Sequence, residues 1–149
     1  KLYQLKFQIY GDGPEKKYIK SFIEKNNLKN INLNNFKTYN QIIKKLKKSK
    51  FSINASKSEG MSNSILESLS QGVPIICSNI KENKYLIKDG YNGYVYKNSD
   101  DLLKILKFSV KSKNYKKIST NAFSSVKKYD ISHVAKIYKK KYSELLTKN

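Results

Sequence analysis

Residues 3–9 alternate between hydrophobic and polar side chains. The odd-numbered positions from Tyr3 to Ile9 are hydrophobic and the positions between them are polar, which is the two-residue period of a half-buried β-strand. The alternation stops at Gly11-Asp12-Gly13-Pro14. Because proline is tolerated in the first turn of a helix, the pattern predicts a strand, a glycine turn and then a helix over residues 14–27.

Strands and helices continue to alternate along the rest of the chain. Predicted strands cover residues 31–33, 51–55, 73–77 and 94–96, and predicted helices cover residues 39–49, 62–71, 99–111, 114–128 and 131–147. The run from Val73 to Cys77 is apolar throughout, as in a strand that a parallel sheet buries on both faces. The pattern therefore predicts an α/β fold, an open parallel sheet with helices on both faces, followed by extra C-terminal helices. The sequence shows no internal repeat and no linker rich in Pro, Gly or Ser, so we expect a single domain over residues 1–149.

Composition and charge narrow the classes of partner. The chain has 149 residues, of which 38% are hydrophobic, enough for the core of one domain. Its 31 cationic and 11 acidic residues give a net charge of +20, and every cation is a lysine. Proteins that read nucleic-acid sequence depend on arginine, so the composition argues against that class. The lysine excess fits either an AT-rich coding sequence or a surface for anionic membranes or polyanions.

Single cysteine and histidine residues limit the chemistry further. Cys77 has no second cysteine with which to form an intramolecular disulfide or a metal cluster, which is typical of a reducing compartment. His133 lies far in sequence from the loops considered below, and we interpret it as structural. No apolar run reaches the roughly 20 residues of a membrane-spanning helix, and no signal-peptide pattern opens the sequence. We expect a chain that is soluble or peripheral to a membrane.

The loops that follow predicted strands hold the candidate functional residues. In the first loop, Gly11 and Gly13 permit positive φ and a close approach of the backbone to a ligand, although an ordinary tight turn uses the same residues. In a later loop, Ser62 or Asn63 caps the predicted helix, and the backbone N–H groups of residues 60–64 form a site for a diphosphate together with the helix dipole.

Two carboxylates flank that helix start. Glu59 precedes it and Glu67 lies about one turn inside it, so the two acids bracket an anion bound there. A carboxylate accepts two hydrogen bonds from the vicinal diol of a ribose or a hexose. The alternative interpretation is a loop acid and a solvated helix residue.

Several motifs in order give the sequence a specific resemblance. Glu59, seven intervening residues and Glu67 closely resemble the E-x7-E signature of the retaining GT-B glycosyltransferases typified by family 4. Three further segments resemble that family in order and spacing: Gly11-Asp12-Gly13-Pro14, Gly72-Val73-Pro74-Ile75-Ile76, and Glu82 with Leu86-Ile87-Lys88-Asp89-Gly90-Tyr91-Asn92-Gly93-Tyr94-Val95. The resemblance extends from about residue 5 to residue 147.

The resemblance implies a particular half of a two-domain enzyme. It implies the Rossmann-like C-terminal half of a GT-B fold, which holds the nucleotide diphosphate sugar donor, with the N-terminal acceptor domain absent from this chain. The first residue opens directly into a strand pattern without an initiator methionine, from which we also infer a piece of a longer polypeptide. The implied function is transfer of a sugar to a glycan or lipid-linked acceptor with retention of configuration, as in a hexosyltransferase of polysaccharide biosynthesis, and we expect the chain alone to be inactive.

The resemblance also implies roles for individual residues. Glu59 is implied to contact hydroxyls of the transferred sugar as the catalytic residue, and Glu67 to hold the ribose. The other implied contacts to the nucleotide sugar come from residues of three loops: Gly11, Gly13, Phe36, Lys37, Gly60, Met61, Ser62 and Asn63. Enzymes of this family need no metal or other cofactor, because positive side chains and the helix dipole neutralise the leaving diphosphate.

The sequence departs from the family pattern at three places. The family places an arginine and a lysine on the diphosphate from a segment before this chain begins, and the chain has no arginine. Asn35 stands where the family has a glycine after the second strand, and Gly60-Met61-Ser62 stands where it has Gly-Phe-Gly. The donor base and sugar therefore stay open.

Two other functions remain open at this point. One is a non-catalytic basic module that binds an anionic membrane or a polyanion, and the other is a GT-B relative that acts as a nucleotide-sugar epimerase. The expected location is cytoplasmic, at the inner face of a membrane, because the family and the lysine excess both suit work there.

Overall fold

A computed structural model of the chain describes residues 4–109 and 111–147. The chain divides into two compact units, Lys1–Lys45 and Leu46–Asn149. Each unit has its own parallel sheet. Tyr3, the first hydrophobic residue of the predicted alternating strand, lies outside the described residues.

The first unit contains two parallel strands and a helix between them. β1 spans Phe7–Tyr10, α1 spans Lys16–Lys25 and β2 spans Ile31–Asn34. β1 pairs with β2 in parallel, with Phe7 opposite Ile31. α2, Tyr39–Leu46, follows β2 and ends at the boundary between the units.

Helix α1 is shorter than the predicted helix over residues 14–27. It begins only at Lys16, because Pro14 and Glu15 form the turn before it, and it ends at Lys25. Asn27 adopts a φ of 50°, a left-handed conformation that an α-helix does not continue through. Helix α2 likewise stops at Leu46 and does not extend to residue 49.

The second unit contains a three-stranded parallel sheet. Its elements in chain order are β3 Ser52–Asn54, α3 Asn63–Ser70, β4 Ile75–Ser78, α4 Lys81–Leu86 and β5 Gly93–Tyr96. β4 lies in the centre, with Ile76 opposite Ile53 of β3 and Tyr94 of β5. The short helix α4 was not predicted from the sequence, since most of its residues are polar and leave no clear apolar period.

Three longer helices follow β5. α5 spans Ser99–Ser109, α6 spans Tyr115–Ser125 and α7 spans Ile131–Leu146. The predicted helix over residues 114–128 is therefore interrupted, because a short 3₁₀ helix, Lys127–Tyr129, follows α6. The carboxylate of Asp130 accepts a hydrogen bond from the Ser132 N–H and so caps α7, as an N-cap aspartate does.

Strand β4 is buried on both faces, as its apolar sequence predicts. Ile75 and Cys77 belong to a cluster with residues of α3, α4 and α6, whereas Ile76 belongs to a second cluster with Tyr94 and Ile118. Alternate side chains of a strand point to opposite faces, so the two clusters lie on opposite faces of the sheet. The predicted α/β architecture of parallel strands covered by helices on both faces is confirmed.

Burial of Cys77 predicts low thiol reactivity. The side chain has no exposed surface, and burial, with a smaller contribution from the charge of Asp89, raises the pKa of the thiol to about 12. The thiolate is the reactive form. We expect a disulfide reagent such as Ellman's to leave the folded chain unmodified at pH 8 and to modify one thiol per chain in denaturant. Rapid reaction of the folded chain would contradict this burial.

Candidate functional site

The loop between β3 and α3 holds the carboxylate of Glu59 through one of its oxygens. The Oε1 atom accepts hydrogen bonds from Ser56 Oγ at 2.7 Å, from Asn54 Nδ2 at 3.0 Å and from Ser62 Oγ at 3.2 Å. Asn54 is the last residue of β3 and Ser62 immediately precedes α3. The carboxylate is therefore fixed from both ends of its own loop.

These hydrogen bonds favour the ionised form of Glu59. The bonds from Ser56 and Asn54 lower the pKa of the carboxyl from its ordinary value, more than its partial desolvation raises it, and the bond from Ser62 lowers the pKa further. Glu59 is thus ionised at neutral pH. Because every bond to this carboxylate in the described part of the chain reaches Oε1, its second oxygen is available to accept hydrogen bonds from a ligand.

Ser62 occupies the N-cap position of α3 without capping it by its side chain. Its hydroxyl donates to Glu59 and lies 3.1 Å from Ser64 Oγ, and it accepts no bond from a first-turn N–H. Ser62 is therefore the N-cap residue, as predicted, but its side chain does not bond the helix, because its hydroxyl is directed into the loop, where it donates to Glu59 and accepts from Asn54 Nδ2 at 3.3 Å. The first bond within the helix runs from Leu66 N to Ser62 O, so the N–H groups before Leu66 have no acceptor within the helix.

Glu67 lies on α3 and is half-buried. Among the residues that the structure describes, no hydrogen bond or ion pair reaches its carboxylate, and Ser70 bonds only its backbone oxygen. The carboxylate of Glu59 is thus held by three donors. The carboxylate of Glu67 is unengaged within the described part of the chain.

A cleft of about 430 Å³ lies beside the Glu59 loop. It is lined by residues of that loop and of the α4 region: Gly60, Met61, Lys81, Glu82, Lys84, Tyr85 and Leu86. Lys128 Nζ lies 5.8 Å from the centre of the Tyr85 ring, which adds a third cation near the cleft. The role of these lysines was not predicted from the sequence, because α4 leaves no clear apolar period, and only the motif residue Glu82 pointed to this segment.

The first unit brings together the other predicted residues. Gly11 and Gly13 follow β1 with φ values of 155° and 145°, as predicted for a glycine turn. The loop after β2 lies at the same edge, because the carboxyl ends of parallel strands share an edge. Lys16 joins the two loops: its Nζ donates to Asn35 Oδ1 at 2.8 Å and lies 3.5 Å from Asp12 Oδ1.

Asn35 therefore has a structural role where the family has a glycine. Beside it, Phe36 is 71% exposed and Lys37 is half-buried. The structure thus gathers Gly11, Gly13, Phe36 and Lys37 in one unit, and the residues from Glu59 to Asn63 with Glu67 in the other.

Within residues 4–109 and 111–147, no group of three or more His, Cys, Asp or Glu side chains could hold a metal ion. Within the same ranges, no helix is both long enough and apolar enough to cross a bilayer.

Comparison with known proteins identifies relatives over most of the chain. Residues 1–125 match the family described as "Glycosyl transferases group 1". An uncharacterized glycosyltransferase of Methanocaldococcus jannaschii is 30% identical over 142 residues, which are 93% of this chain and 40% of the relative. The chain thus spans about 40% of the length of the curated relative it matches.

Solved structures share the fold. Anabaena HepE, crystallised with UDP and glucose, matches 96% of this chain and 42% of its own with a TM-score of 0.81 at 18% identity. A mutant of S. aureus TarM, in complex with fondaparinux, alpha-GlcNAc-glycerol and UDP, matches 90% of this chain and 28% of its own with a TM-score of 0.71 at 26% identity. The fold is thus the Rossmann-like fold of GT-B glycosyltransferases, and by its sequence match the chain belongs to the group 1 glycosyl transferases.

Proposed function

We propose that this chain is the donor-binding domain of a glycosyltransferase that transfers a sugar from a nucleotide diphosphate sugar. The observation that carries the proposal is the ionised carboxylate of Glu59, held through Oε1 at the N-terminus of α3 with its second oxygen available. An ionised carboxylate that is already oriented accepts hydrogen bonds from sugar hydroxyls without a further ordering cost.

The donor is proposed to be a UDP-sugar. HepE was crystallised with UDP and glucose, and TarM with UDP. The diphosphate is proposed to bind the backbone N–H groups of Gly60, Met61 and Ser62 and the positive end of α3, with the Asn63 amide beside them. Glu67, whose carboxylate is unengaged, is proposed to hold the ribose, and Phe36 and Lys37 to pack by the base.

Catalysis is proposed to rest on positioning and on stabilising the leaving diphosphate. Charge that develops on this group is stabilised by fixed backbone dipoles, and the cleft lysines Lys81 and Lys84 supply positive charge near them. We propose that no metal or other cofactor is required. Glu59 is the proposed catalytic residue, because its free oxygen would contact hydroxyls of the transferred sugar while the glycosidic bond breaks.

The wider reaction is a proposal drawn from the family resemblance. We propose family 4 membership, retention of configuration and a glycan or lipid-linked acceptor, with the acceptor bound by a domain outside these 149 residues. All 149 residues are proposed to act as one donor-binding domain, which alone binds the donor without turnover. The proposed location is the cytoplasmic face of a membrane, where anionic lipid attracts lysine.

A calorimetric titration of the 149-residue chain with UDP, GDP and ADP tests this function. We expect one nucleotide, UDP, to bind and to keep its affinity between 50 and 200 mM salt, and Glu67→Ala to weaken its binding about tenfold or more through loss of the bonds to the ribose. Glu144→Ala removes the same charge from helix α7, which carries none of the proposed donor-binding residues, and is the matched control. A donor site would be refuted if all three nucleotides bind with equal affinity, if this affinity is lost as salt is raised, and if Glu67→Ala does not change it.

That contrary result would favour the second candidate, a basic module for polyanions or anionic membranes. Its support is the net charge of +20, carried by lysine alone. Binding by such a module falls steeply with salt, because it depends on the release of counterions. A third candidate, a nucleotide-sugar epimerase, would bind UDP in the same titration and release an epimerised sugar without an acceptor.

A further inference from the structure

Asn83 is a fully buried polar residue that no motif of the sequence singled out. It lies on α4 and has no exposed surface. Its Nδ2 donates toward Asn54 Oδ1 at 3.2 Å and toward the backbone oxygen and the Oγ of Ser78, both at 3.1 Å. Burying an amide costs free energy unless it is hydrogen-bonded, so these contacts account for its presence in the core.

The contacts of Asn83 determine which way the Asn54 amide faces. Asn54 Oδ1 accepts from Asn83 Nδ2 and also from the Ser56 N–H at 3.2 Å. With its oxygen held by two donors, Asn54 turns its Nδ2 toward Glu59 Oε1, at 3.0 Å. The reverse orientation would bring an amide oxygen against a carboxylate oxygen, and the two would repel.

The orientation of Asn83 itself is also determined. Three acceptor atoms surround its Nδ2, while its Oδ1 is buried without a hydrogen-bond partner in the described part of the chain. Turning the amide over would place that oxygen against Asn54 Oδ1 and the Ser78 backbone oxygen, which cannot donate. The side chain therefore keeps the orientation in which its Nδ2 donates to Asn54, although its own Oδ1 accepts no hydrogen bond in the described part of the chain.

We propose that Asn83 is a positioning residue for donor recognition: through Asn54 it holds the Glu59 carboxylate in the orientation that receives the sugar. The proposal rests on the proposed donor site. Asn83 is not proposed to touch the substrate. It connects α4, which lines the cleft beside the loop, to Asn54, 29 residues earlier in the sequence, and through Asn54 to the proposed sugar-binding carboxylate.

The test compares Asn83→Leu and Asn83→Asp with a matched control, Asn92→Leu, in the 149-residue chain. Asn92 is 2% exposed and also makes three hydrogen bonds, to Lys88, Leu86 and Ser125. These bonds do not touch the Glu59 network, so the control reports the general effect of losing a buried asparagine. The probes are UDP and UDP-glucose, and the pKa of the Glu59 carboxyl is followed by ¹³C NMR.

Each Asn83 variant is expected to change UDP affinity by less than about twofold. The ratio of the affinity for UDP-glucose to the affinity for UDP is expected to fall about fivefold or more, because Glu59 loses a charge-assisted hydrogen bond or its orientation. The pKa of Glu59 is expected to rise, since Asn54 no longer keeps its donor toward the carboxylate. Asn92→Leu is expected to lower thermal stability and to leave the sugar advantage and the pKa of Glu59 unchanged.

Two results would overturn the proposal. One is an unchanged pKa of Glu59 in a folded Asn83 variant. The other is an equal loss of affinity for UDP and for UDP-glucose, which general instability of the chain would also produce. If the wild-type chain binds neither ligand, the donor function fails, while the Glu59 pKa still decides the role of Asn83. If neither variant folds, the test is the NMR signal of the Asn54 side-chain amide in the wild-type chain during a pH titration. The proposal predicts that its chemical shift changes with the protonation of Glu59, and a chemical shift that does not change would reject the proposal.

Discussion

Glu59→Gln is expected to remove most of the affinity that the sugar of the donor adds to that of the nucleotide. The glutamine oxygen can still accept from Ser56, Asn54 and Ser62, which hold Oε1, so the loop keeps its shape. The group facing the ligand then becomes a neutral amide that donates. Hydrogen bonds to a charged group contribute about 1.5–3 kcal/mol, so the advantage of UDP-glucose over UDP in calorimetry should fall about 10- to 100-fold.

The nucleotide itself provides the internal control for this variant. UDP affinity should change little, because the diphosphate is proposed to bind the backbone N–H groups after Glu59 and not its carboxylate. Glu144→Gln makes the same chemical change on α7 and should alter neither ligand. An undiminished preference for UDP-glucose in Glu59→Gln would rule out Glu59 as the sugar-binding residue.

Gly93→Ala is expected to destabilise the second unit more than any other glycine-to-alanine change in it. Gly93 begins β5 and pairs with Ile75 of the central strand. A Cβ at this position would overlap the backbone oxygen of Ile75 and would also meet the Ile87 side chain at 3.1 Å. Because the obstructing atom is backbone, the strand pair itself must separate, and we expect a loss of about 3 kcal/mol in the free energy of unfolding.

Gly60→Ala is the matched control for stability. An added Cβ at Gly60 meets nothing within 4 Å, so the free energy of unfolding in urea should change by less than about 0.5 kcal/mol. Comparable stability of the two variants would contradict the close pairing of β4 and β5 at Gly93.

The sequence was sufficient for elements whose signal is local. The apolar run at Val73–Cys77 predicted a strand buried on both faces, and β4 is such a strand. Every predicted strand and helix corresponds to an element of the structure, although several boundaries differ. The differences arise where a single conformation ends a helix, as the left-handed φ of Asn27 does for α1.

The parts of the site that were not predicted from the sequence depend on contacts between residues that are far apart in the sequence. Asn54, Ser78 and Asn83 surround the Glu59 loop through hydrogen bonds that join residues up to 29 positions apart, and no local pattern encodes such pairs. The cap of α3 differs from expectation for a local reason. Ser62 is the N-cap residue, but its hydroxyl donates to Glu59 and accepts from Asn54, and so does not bond a first-turn N–H.

The most direct measurement of the central claim is amide NMR of the ¹⁵N-labelled chain titrated with UDP-glucose at physiological salt. Binding of the diphosphate by the start of α3 predicts saturable shifts at Gly60, Met61, Ser62 and Asn63, because a bound anion polarises the N–H groups that contact it. Shifts that avoid these residues, spread over lysine-rich helices such as α7 and vanish as salt is raised would contradict a donor site at Glu59.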